Sequence, residues 1–530
     1  VVKGGVRTRS ALDAGMVKRA GNPGSLMKVT PLHGQPKTRR VVNLANGMGA
    51  EVEFGIHDHC LSNVERGILE RVFFRNGTAV PRPQVGEFRR VMGPSLRRLK
   101  RMLRKRSPIS VDQFVDCYKG KRHTIYSQAA ERFGRDGVRR GDGYLNTFVK
   151  AEKINFTKKK DPAPRVIQPR SPVYNVAVGR YLKPLEHDLY RALDKLCGGP
   201  TVMKGRNANG TGAAIAEMWE QFDDPVGIGA DASRFDQSVS PEALQWEHSL
   251  YLYLYNNDPE LAKWLTWQID NRGYARTPDG VVHYRVQGSR MSGDMNTGSG
   301  NVLIMCCIVW SFFQGLRVGG KRVKWRLANN GDDCVIVVER RNTELVNSEF
   351  PAFCATLGFK MEMEKPVDTL EEVEFCQTHP VCVNGSWRMV RNLESTLAKD
   401  LVSTKPIHNE QSWNYFRGAI GDCGEALATG VPIYQNFYQY LKRGAGEARA
   451  RDDGEVTGMM NLARGMRRGP QPIHDSTRVS FFRAFGVEPG RQRLLEGVYD
   501  AVSPYYTAPQ NVSQFSFHHS LVAISHPDGV

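Results

Sequence analysis

No Gly-x4-Gly-Lys-Ser/Thr loop occurs anywhere in these 530 residues, so no P-loop nucleotidase or helicase is encoded. The ten cysteines are scattered without a single Cys-x-x-Cys pair, which argues against a disulfide framework or a zinc ribbon and suits a reducing compartment. Repeats are missing, and no signal peptide is read at the start. The longest apolar run, Val302 to Phe313, falls short of the ~20 residues a bilayer-spanning helix needs. Acidic charge is in deficit: 73 Lys and Arg against 55 Asp and Glu leave a net charge of +18. Such a surplus favours a polyanionic partner, but ribosomal and coat proteins share it, so it names a partner class and no chemistry. His57, Asp58, His59 and Cys60 are metal-capable neighbours, yet without a second cluster at ligand spacing they read as core or surface residues rather than as zinc ligands.

What is present begins at Gly331-Asp332-Asp333. Asn330-Gly331 is a hairpin turn signal and Val335 to Val338 the returning strand, so two adjacent carboxylates stand at a tight tip. About a hundred residues earlier a short apolar run ends at Asp231, and a helix follows with Ser240 as its N-cap and Pro241 at its first position. Asp231, Asp332 and Asp333 together would offer hard oxygen ligands to two Mg²⁺ ions held ~4 Å apart. That arrangement activates an attacking hydroxyl and stabilises departing pyrophosphate in an in-line phosphoryl transfer. Between these elements come the flexible pair Ser292-Gly293 and then Thr297 and Asn301, four apart on one helix face. Each pattern alone is bland. Their fixed order is not.

Asp-x4-Asp, then Ser-Gly-x3-Thr-x3-Asn, then Gly-Asp-Asp resembles palm motifs A, B and C of the viral RNA-dependent RNA polymerases. The resemblance implies that Asp231, Asp332 and Asp333 are catalytic and hold the metals, with Ala232 in the same metal set. Asp236, Thr297 and Asn301 would read the ribose 2′-hydroxyl, a donor and acceptor that a carboxylate and an amide can both satisfy, with Ser292 and Gly293 beside the nucleotide. Reverse transcriptases commonly place a bulky steric gate near the second carboxylate, so Asp236 points to ribonucleotides. The stretch from Phe148 to Arg170 looks like finger motif F: Lys150 and Arg165 match its triphosphate-facing positions, with Lys153 and Arg170 as neighbours and Lys158 to Lys160 as general RNA contacts. Leu357 to Pro366 stands where motif D would, and spacing favours Lys365 over Lys360 as a general acid for the leaving pyrophosphate. Val373 to Val381 would be motif E, the grip on the nascent strand.

Three stretches, Phe114 to Tyr126, Leu327 to Val335 and Val373 to Val381, closely resemble the polymerases of the plant tombusvirus family, and the likeness runs from roughly Gly93 into the 420s. In the first of these, Lys119, Lys121 and Arg122 lie among aromatics, a mixture suited to a single-stranded template groove. The run from Arg89 to Arg106 is a basic helix with an apolar stripe at Leu96, Leu99 and Leu103; Arg97, Arg98 and Arg101 are assigned to RNA, with solvent or an acidic membrane surface as the other readings. Residues Arg443 to Pro470 read as a mobile loop or linker. Of the C-terminal aromatics Tyr499, Tyr505, Tyr506, Phe515 and Phe517, most suit a packed core, with Tyr505 or Tyr506 as candidates for an initiation platform.

The expected fold is therefore mixed α/β, a right-hand polymerase with fingers, a palm carrying an antiparallel sheet, and a mainly helical thumb. Residues 1–222 would be fingers with an N-terminal extension, 223–242 palm, 243–287 a finger insertion, 288–384 palm, and 385–530 thumb and C-terminal region. The resemblance implies primer-independent replication of a positive-strand RNA virus genome, with Mg²⁺ as cofactor and Mn²⁺ as a substitute. The implied partners are viral template and product RNA, ribonucleoside triphosphates and a membrane-anchored viral auxiliary replication protein. The implied location is the host cytoplasm, at membrane-bound replication complexes, with no transmembrane segment in this chain. Two rivals stand beside this reading: a reverse transcriptase, which would use the same carboxylates, and a basic RNA-binding structural protein, which would explain the charge but not the ordered motifs.

Overall fold

Strand Pro225–Ala232 is an inner strand, between Asp333–Glu339 on one side and Met361–Met363 on the other, with Trp325–Asn330 completing a four-stranded antiparallel sheet. The computed structural model describes residues 21–506 except 37, 46–47, 51, 159–160 and 447–455. Val335 to Val338 are all buried, because this sheet is covered on both faces. Ile336 and Val338 join the cluster around helix Thr297–Gly315, while Val335 and Val337 join the one around helix Ala208–Trp219, the two-residue alternation of a strand.

Helix Thr297–Gly315 is the axis of the main core, with every residue from Val302 to Val309 at 0 % exposure. By length and composition it could cross a membrane, and the apolar run counted from the sequence understated it; in the fold it is packed inside the protein. Helix Pro241–Leu254 begins as expected: the Ser240 hydroxyl accepts from the Ala243 amide at 3.1 Å and Pro241 takes the first position. The basic helix is shorter than expected, Glu87–Met102, with Phe88, Met92 and Leu99 turned into the core. Its chain turns extended at Leu103, and Arg106 is drawn off to the Pro184 carbonyl and the Asp188 carboxylate.

A second sheet joins segments far apart in sequence. Met27–Pro31 pairs with Gly280–Gln287, which pairs with Asp270–Thr277, and the last takes Leu145–Asn146 in parallel. Two expected boundaries cut through elements: residue 242 lies inside helix Pro241–Leu254, and residue 384 lies in the turn of a hairpin whose strands are Thr378–Val383 and Ser386–Arg391. The C-terminal region is helical, built from Glu410–Ala428, Tyr434–Lys442, Asp475–Phe485 and Pro489–Ala501. Leu44 and Met48 are part of its core; the Trp413 indole donates to the Leu44 carbonyl at 2.7 Å and the Tyr499 hydroxyl to the Met48 carbonyl at 2.8 Å.

Candidate active site

The hairpin loop consists of Gly331 and Asp332, since Asn330 and Asp333 are already register partners. That is one residue later than the Asn-Gly signal implied. Gly331 takes φ +91° and Asp332 a negative φ, the II′ pattern that suits the strand twist and requires glycine first. The buried Asn329 side chain fixes the turn by donating to the Gly331 carbonyl at 2.7 Å and accepting from the Gly331 amide at 3.1 Å. Asp332 is thereby exposed at the tip, and Asp231 is exposed directly across the register from Asp333. Burial pushes the Asp333 carboxyl up to about 6, and Asp332, Asp231 and Glu364 push the same way, against a hydrogen bond from the Cys376 thiol. Ala232, next along the strand, is buried and can offer a ligand only its main-chain carbonyl.

Asp236 and Asn301 meet: the Asn301 amide donates to an Asp236 carboxylate oxygen at 2.7 Å. Burial raises Asp236 above the usual carboxylate range, opposed by Asn301, Arg290 and Arg165 and reinforced by Asp332, which places all five groups in one neighbourhood. Thr297 is elsewhere in this network, its hydroxyl donating to the Met291 carbonyl at 2.9 Å and closing the loop before the helix. The Ser292 carbonyl accepts from the Gln168 amide at 2.6 Å, and a Cβ on Gly293 (φ +131°) would lie 2.9 Å from the Pro169 nitrogen, so the loop abuts the motif F segment and needs glycine there.

Among the expected phosphate contacts the structure separates two kinds. Lys150 and Arg165 share Glu152, at 2.8 and 3.2 Å, with the Arg165 guanidinium exposed and near enough to Asp236 to influence it. Arg170 is withdrawn from any nucleotide. Its five N–H donors are committed to both Asp294 oxygens, the carbonyls of Gly143 and Trp267, and Asn271, and its side chain has no exposure. Lys153 donates to the carbonyl of Lys399, the last residue of helix Leu393–Lys399, and so reaches toward the C-terminal region. Lys158 is described, whereas Lys159 and Lys160 lie outside the described residues.

Of the two candidate lysines, Lys360 and not Lys365 lies toward the carboxylates. Ala232 is level with Met361, so Lys360 flanks the carboxylate end of the sheet, and its carbonyl accepts from the Ser233 amide at 3.0 Å. Lys365 is level with Ile228, ~10 Å down the strand, where it lines a cavity with Val226, Arg340 and Asp368. Sequence spacing missed this because each residue after Glu362, the register partner of Asp231, recedes from that carboxylate.

Lys119, Lys121 and Arg122 are exposed at the start of helix Gly120–Asp136, and the Tyr118 hydroxyl there reaches the Met295 sulfur at 3.7 Å. The nearby aromatics are not open platforms: Phe114, Tyr118 and Tyr126 pack on one another at 4.6–5.3 Å. Arg97, Arg98 and Arg101 are exposed, but Arg98 lies over Trp310, nine residues beyond Asn301 and thus ~13 Å along the helix. Tyr505 is 70 % exposed and Tyr506 packs on Trp413, while Phe515 and Phe517 lie outside the described residues. Instead, a cavity of about 530 Å³ behind the hairpin brings Asn330 and Cys376 together with Lys204, Arg206 and, from the C-terminal region, Asn461 and Arg464. His57, Asp58 and Cys60 are buried, with Asp58 accepting from the Arg39 amide at 2.7 Å.

Several contributors escaped sequence reading. Arg290 and Glu247 are the main ones. Glu247 did carry a signal: it shares the buried face of its helix with Leu244, Leu250 and Tyr251, where an unpaired carboxylate would be costly.

Comparison with known proteins accords with this geometry. The RNA-directed RNA polymerase of Turnip crinkle virus is 42% identical over 495 residues, covering 91% of this chain and 62% of that protein. That of Tobacco necrosis virus (strain D) is 43% identical over 465 residues, 85% of this chain and 63% of the relative. That of Tomato bushy stunt virus (strain Cherry) is 40% identical over 468 residues, 87% and 56%. The chain thus spans about three fifths of the length of these relatives, and its likeness to tombusvirus-family polymerases is shown over far more than the central motifs. The model of viral RNA dependent RNA polymerases matches residues 27–505, a span that includes Lys150, Asp231, Asn301 and the Gly331-Asp332-Asp333 hairpin alike, and to that family the chain belongs.

Proposed function

We propose that this chain carries the catalytic region of an RNA-directed RNA polymerase that replicates the genome of a positive-strand plant virus. The observation that supports it most is the facing of Asp231 and Asp333 across the register with Asp332 at the adjoining tip. In the reaction an RNA 3′-hydroxyl attacks the α-phosphorus of a ribonucleoside triphosphate, a new phosphodiester bond forms, the bridging bond to the β-phosphate breaks, and pyrophosphate leaves.

Among the described residues no three His, Cys, Asp or Glu side chains already converge on one point at metal-ligand spacing. The fit to a divalent cation rests on donor chemistry instead: two exposed carboxylates, a third raised to about 6 by burial and then by its acidic neighbours, and a carbonyl beside them, all hard oxygens. Asp231, Asp332, Asp333 and Ala232 would hold such ions, with Mg²⁺ as the expected one and Mn²⁺ as its substitute. When bound they would supply charge for the attacking oxygen and the leaving group. Lys150 and Arg165 would hold the triphosphate, Asp236 and Asn301 would take the ribose 2′-hydroxyl as donor and acceptor, and Lys360 would protonate pyrophosphate.

In this reading the Pro225–Ala232 sheet is the palm, the Met27–Thr277 sheet belongs to fingers built from separate segments, and the C-terminal helices form the thumb. Exposed Lys119, Lys121 and Arg122 lie on the template side. Initiation without a primer needs an element that holds the first nucleotide near the hairpin. Asn461 and Arg464, which share the cavity with Asn330, suit that task better than Tyr505 or Tyr506. Recruitment to membrane-bound complexes in the host cytoplasm would fall to an auxiliary replication protein.

Supplying purified protein with an unprimed, 3′-blocked RNA template and competing ATP and dATP tests the reading against its rivals. Ribonucleotide products with 5′-triphosphates are expected. Equal use of deoxynucleotides would favour a reverse transcriptase, and absence of divalent-cation-dependent synthesis would favour a structural RNA-binding protein.

A further inference from the structure

Behind the Asp236–Asn301 pair lies a buried ionic group that touches neither solvent nor the proposed nucleotide position. Arg290 and Glu247 form an ion pair with both side chains at 0 % exposure. Asn296 donates to the same Glu247 carboxylate at 2.7 Å, Gln268 donates to Asn296 at 2.9 Å, and the Tyr251 hydroxyl donates to Glu247 at 2.8 Å. Two fully desolvated charges are an expensive way to fill a core, since a well-packed apolar pair of similar volume often does as well or better for stability. The helix makes room for them: a Cβ on Gly300 would collide with the Arg290 guanidinium and the Glu247 carboxylate. Glycine inside a helix costs about 0.5–1 kcal/mol relative to alanine.

Arg290 also holds both members of the pair in front of it. Its main-chain N–H donates to the Asp236 carbonyl at 2.8 Å, and its Nε donates to Asn301 Oδ1 at 3.0 Å. The second contact decides which way the Asn301 amide points. A guanidinium can only donate, so the Asn301 atom facing it must be the oxygen. The amide nitrogen is then left for the Asp236 carboxylate, as observed at 2.7 Å. An Asn301 side chain turned over would set two donors against each other. Glu247 in turn fixes the guanidinium plane, because Arg290 spends both terminal nitrogens on it.

We propose that Arg290, locked by Glu247, is a positioning residue for sugar selection, setting the Asn301 amide so that it and Asp236 present a fixed donor and acceptor to the ribose 2′-hydroxyl. This rests on the reading that Asp236 and Asn301 recognise that hydroxyl. Arg290 and Glu247 act through Asn301 and touch no substrate. Lysine at 290 would keep a charge for Glu247 but lose the planar fork that reaches Asn301 at the same time.

The test compares the kcat/KM ratio for ATP over dATP in the wild-type chain and in Arg290→Lys, Glu247→Gln, Asn301→Ala and the Arg290→Lys/Asn301→Ala double variant. A ratio is insensitive to the fraction of folded enzyme, so partial destabilisation does not mimic the effect. Arg290→Lys and Glu247→Gln are each expected to lower the ratio by about tenfold, the worth of one well-placed hydrogen bond. The double variant should fall no further than Asn301→Ala alone, because the arginine has nothing left to orient. An unchanged ratio in both single variants alongside a reduced one in Asn301→Ala would overturn the proposal and leave the sugar reading standing. An unchanged ratio in Asn301→Ala would overturn that reading and the proposal with it. Complete loss of incorporation in both Arg290→Lys and Glu247→Gln would make the pair a structural element and likewise overturn the proposal.

Discussion

Asp231 is the register partner of Asp333 on the neighbouring antiparallel strand, and on its other side it is level with Glu362. Opposed residues on such strands have Cα atoms about 4.5–5.5 Å apart and side chains on the same face, so acidic side chains from three strands are gathered at one sheet end. Cations nearby are already engaged: Lys360 lies 3.8 Å from Glu362, and Lys150 and Arg165 lie on Glu152. The sheet end is therefore a concentration of negative charge that divalent cations would relieve.

Burial of Asp333, with that repulsion added to it, gives a stability prediction. The Asp333 carboxyl is raised to about 6, so between roughly pH 4 and pH 6 the folded state holds a proton that the unfolded state releases. Stability of the metal-free protein should fall as pH rises through that window and stay lower above it. Asp333→Asn removes the charge and should raise Tm in chelator at pH 7.5, with the gain shrinking toward pH 4. Thermal melts across this range check it; a gain independent of pH would point to some other cause.

Arg165 and Arg170 should behave oppositely despite their closeness in sequence. Arg165→Ala should raise the nucleotide KM about tenfold with an unchanged melting curve, since the side chain is exposed and its ion pair with Glu152 is a surface one. Arg170→Ala should destabilise by ~3–5 kcal/mol, because it leaves Asp294 buried and unpaired. Denaturant titration with nucleotide kinetics separates the two.

The motif D lysine is a third point of decision. Lys360→Ala should lower kcat by about 10²-fold, the modest end of general-acid contributions, while Lys365→Ala should stay within about twofold. The reverse ranking in single-turnover incorporation would return the assignment to Lys365 and require the edge strand to shift register.

Neutralising Arg97, Arg98 and Arg101 should leave nucleotide KM unchanged, given that Arg98 lies over Trp310, ~13 Å along the helix from Asn301. If RNA crosses that surface, the log–log salt slope of RNA binding should flatten by ~0.7–0.9 per lost phosphate contact. An unaltered slope would leave membrane or partner contact as the better account of this helix.

How far the sequence could be read depended on how local each feature was. The Ser240 cap and the glycine turn of the hairpin are set by a few neighbouring residues, and both were legible, the turn to within one position. Arg170 looked like a phosphate ligand because its neighbours Lys150 and Arg165 do; its burial depends on Gly143, Trp267, Asn271 and Asp294, which only the fold assembles. Lys365 was preferred over Lys360 on spacing, whereas the choice turns on the register of a three-residue edge strand. The docking of Leu44 and Met48 into the C-terminal helices had no local signal, since their partners lie some four hundred residues away.

The central claim is that Asp231 and Asp332 are the acidic groups around which RNA is extended. Incorporation of radiolabelled UMP on a poly(A) template, with Mg²⁺ or Mn²⁺, tests it most directly in the wild-type chain and in Asp231→Ala and Asp332→Ala. Both aspartates are exposed at the sheet end and bear no part of the core, so both variants should keep the wild-type melting curve. The account predicts cation-dependent synthesis by the wild-type chain and a loss of at least ~10³-fold in each variant. Synthesis by either variant at more than a few hundredths of the wild-type rate would contradict it.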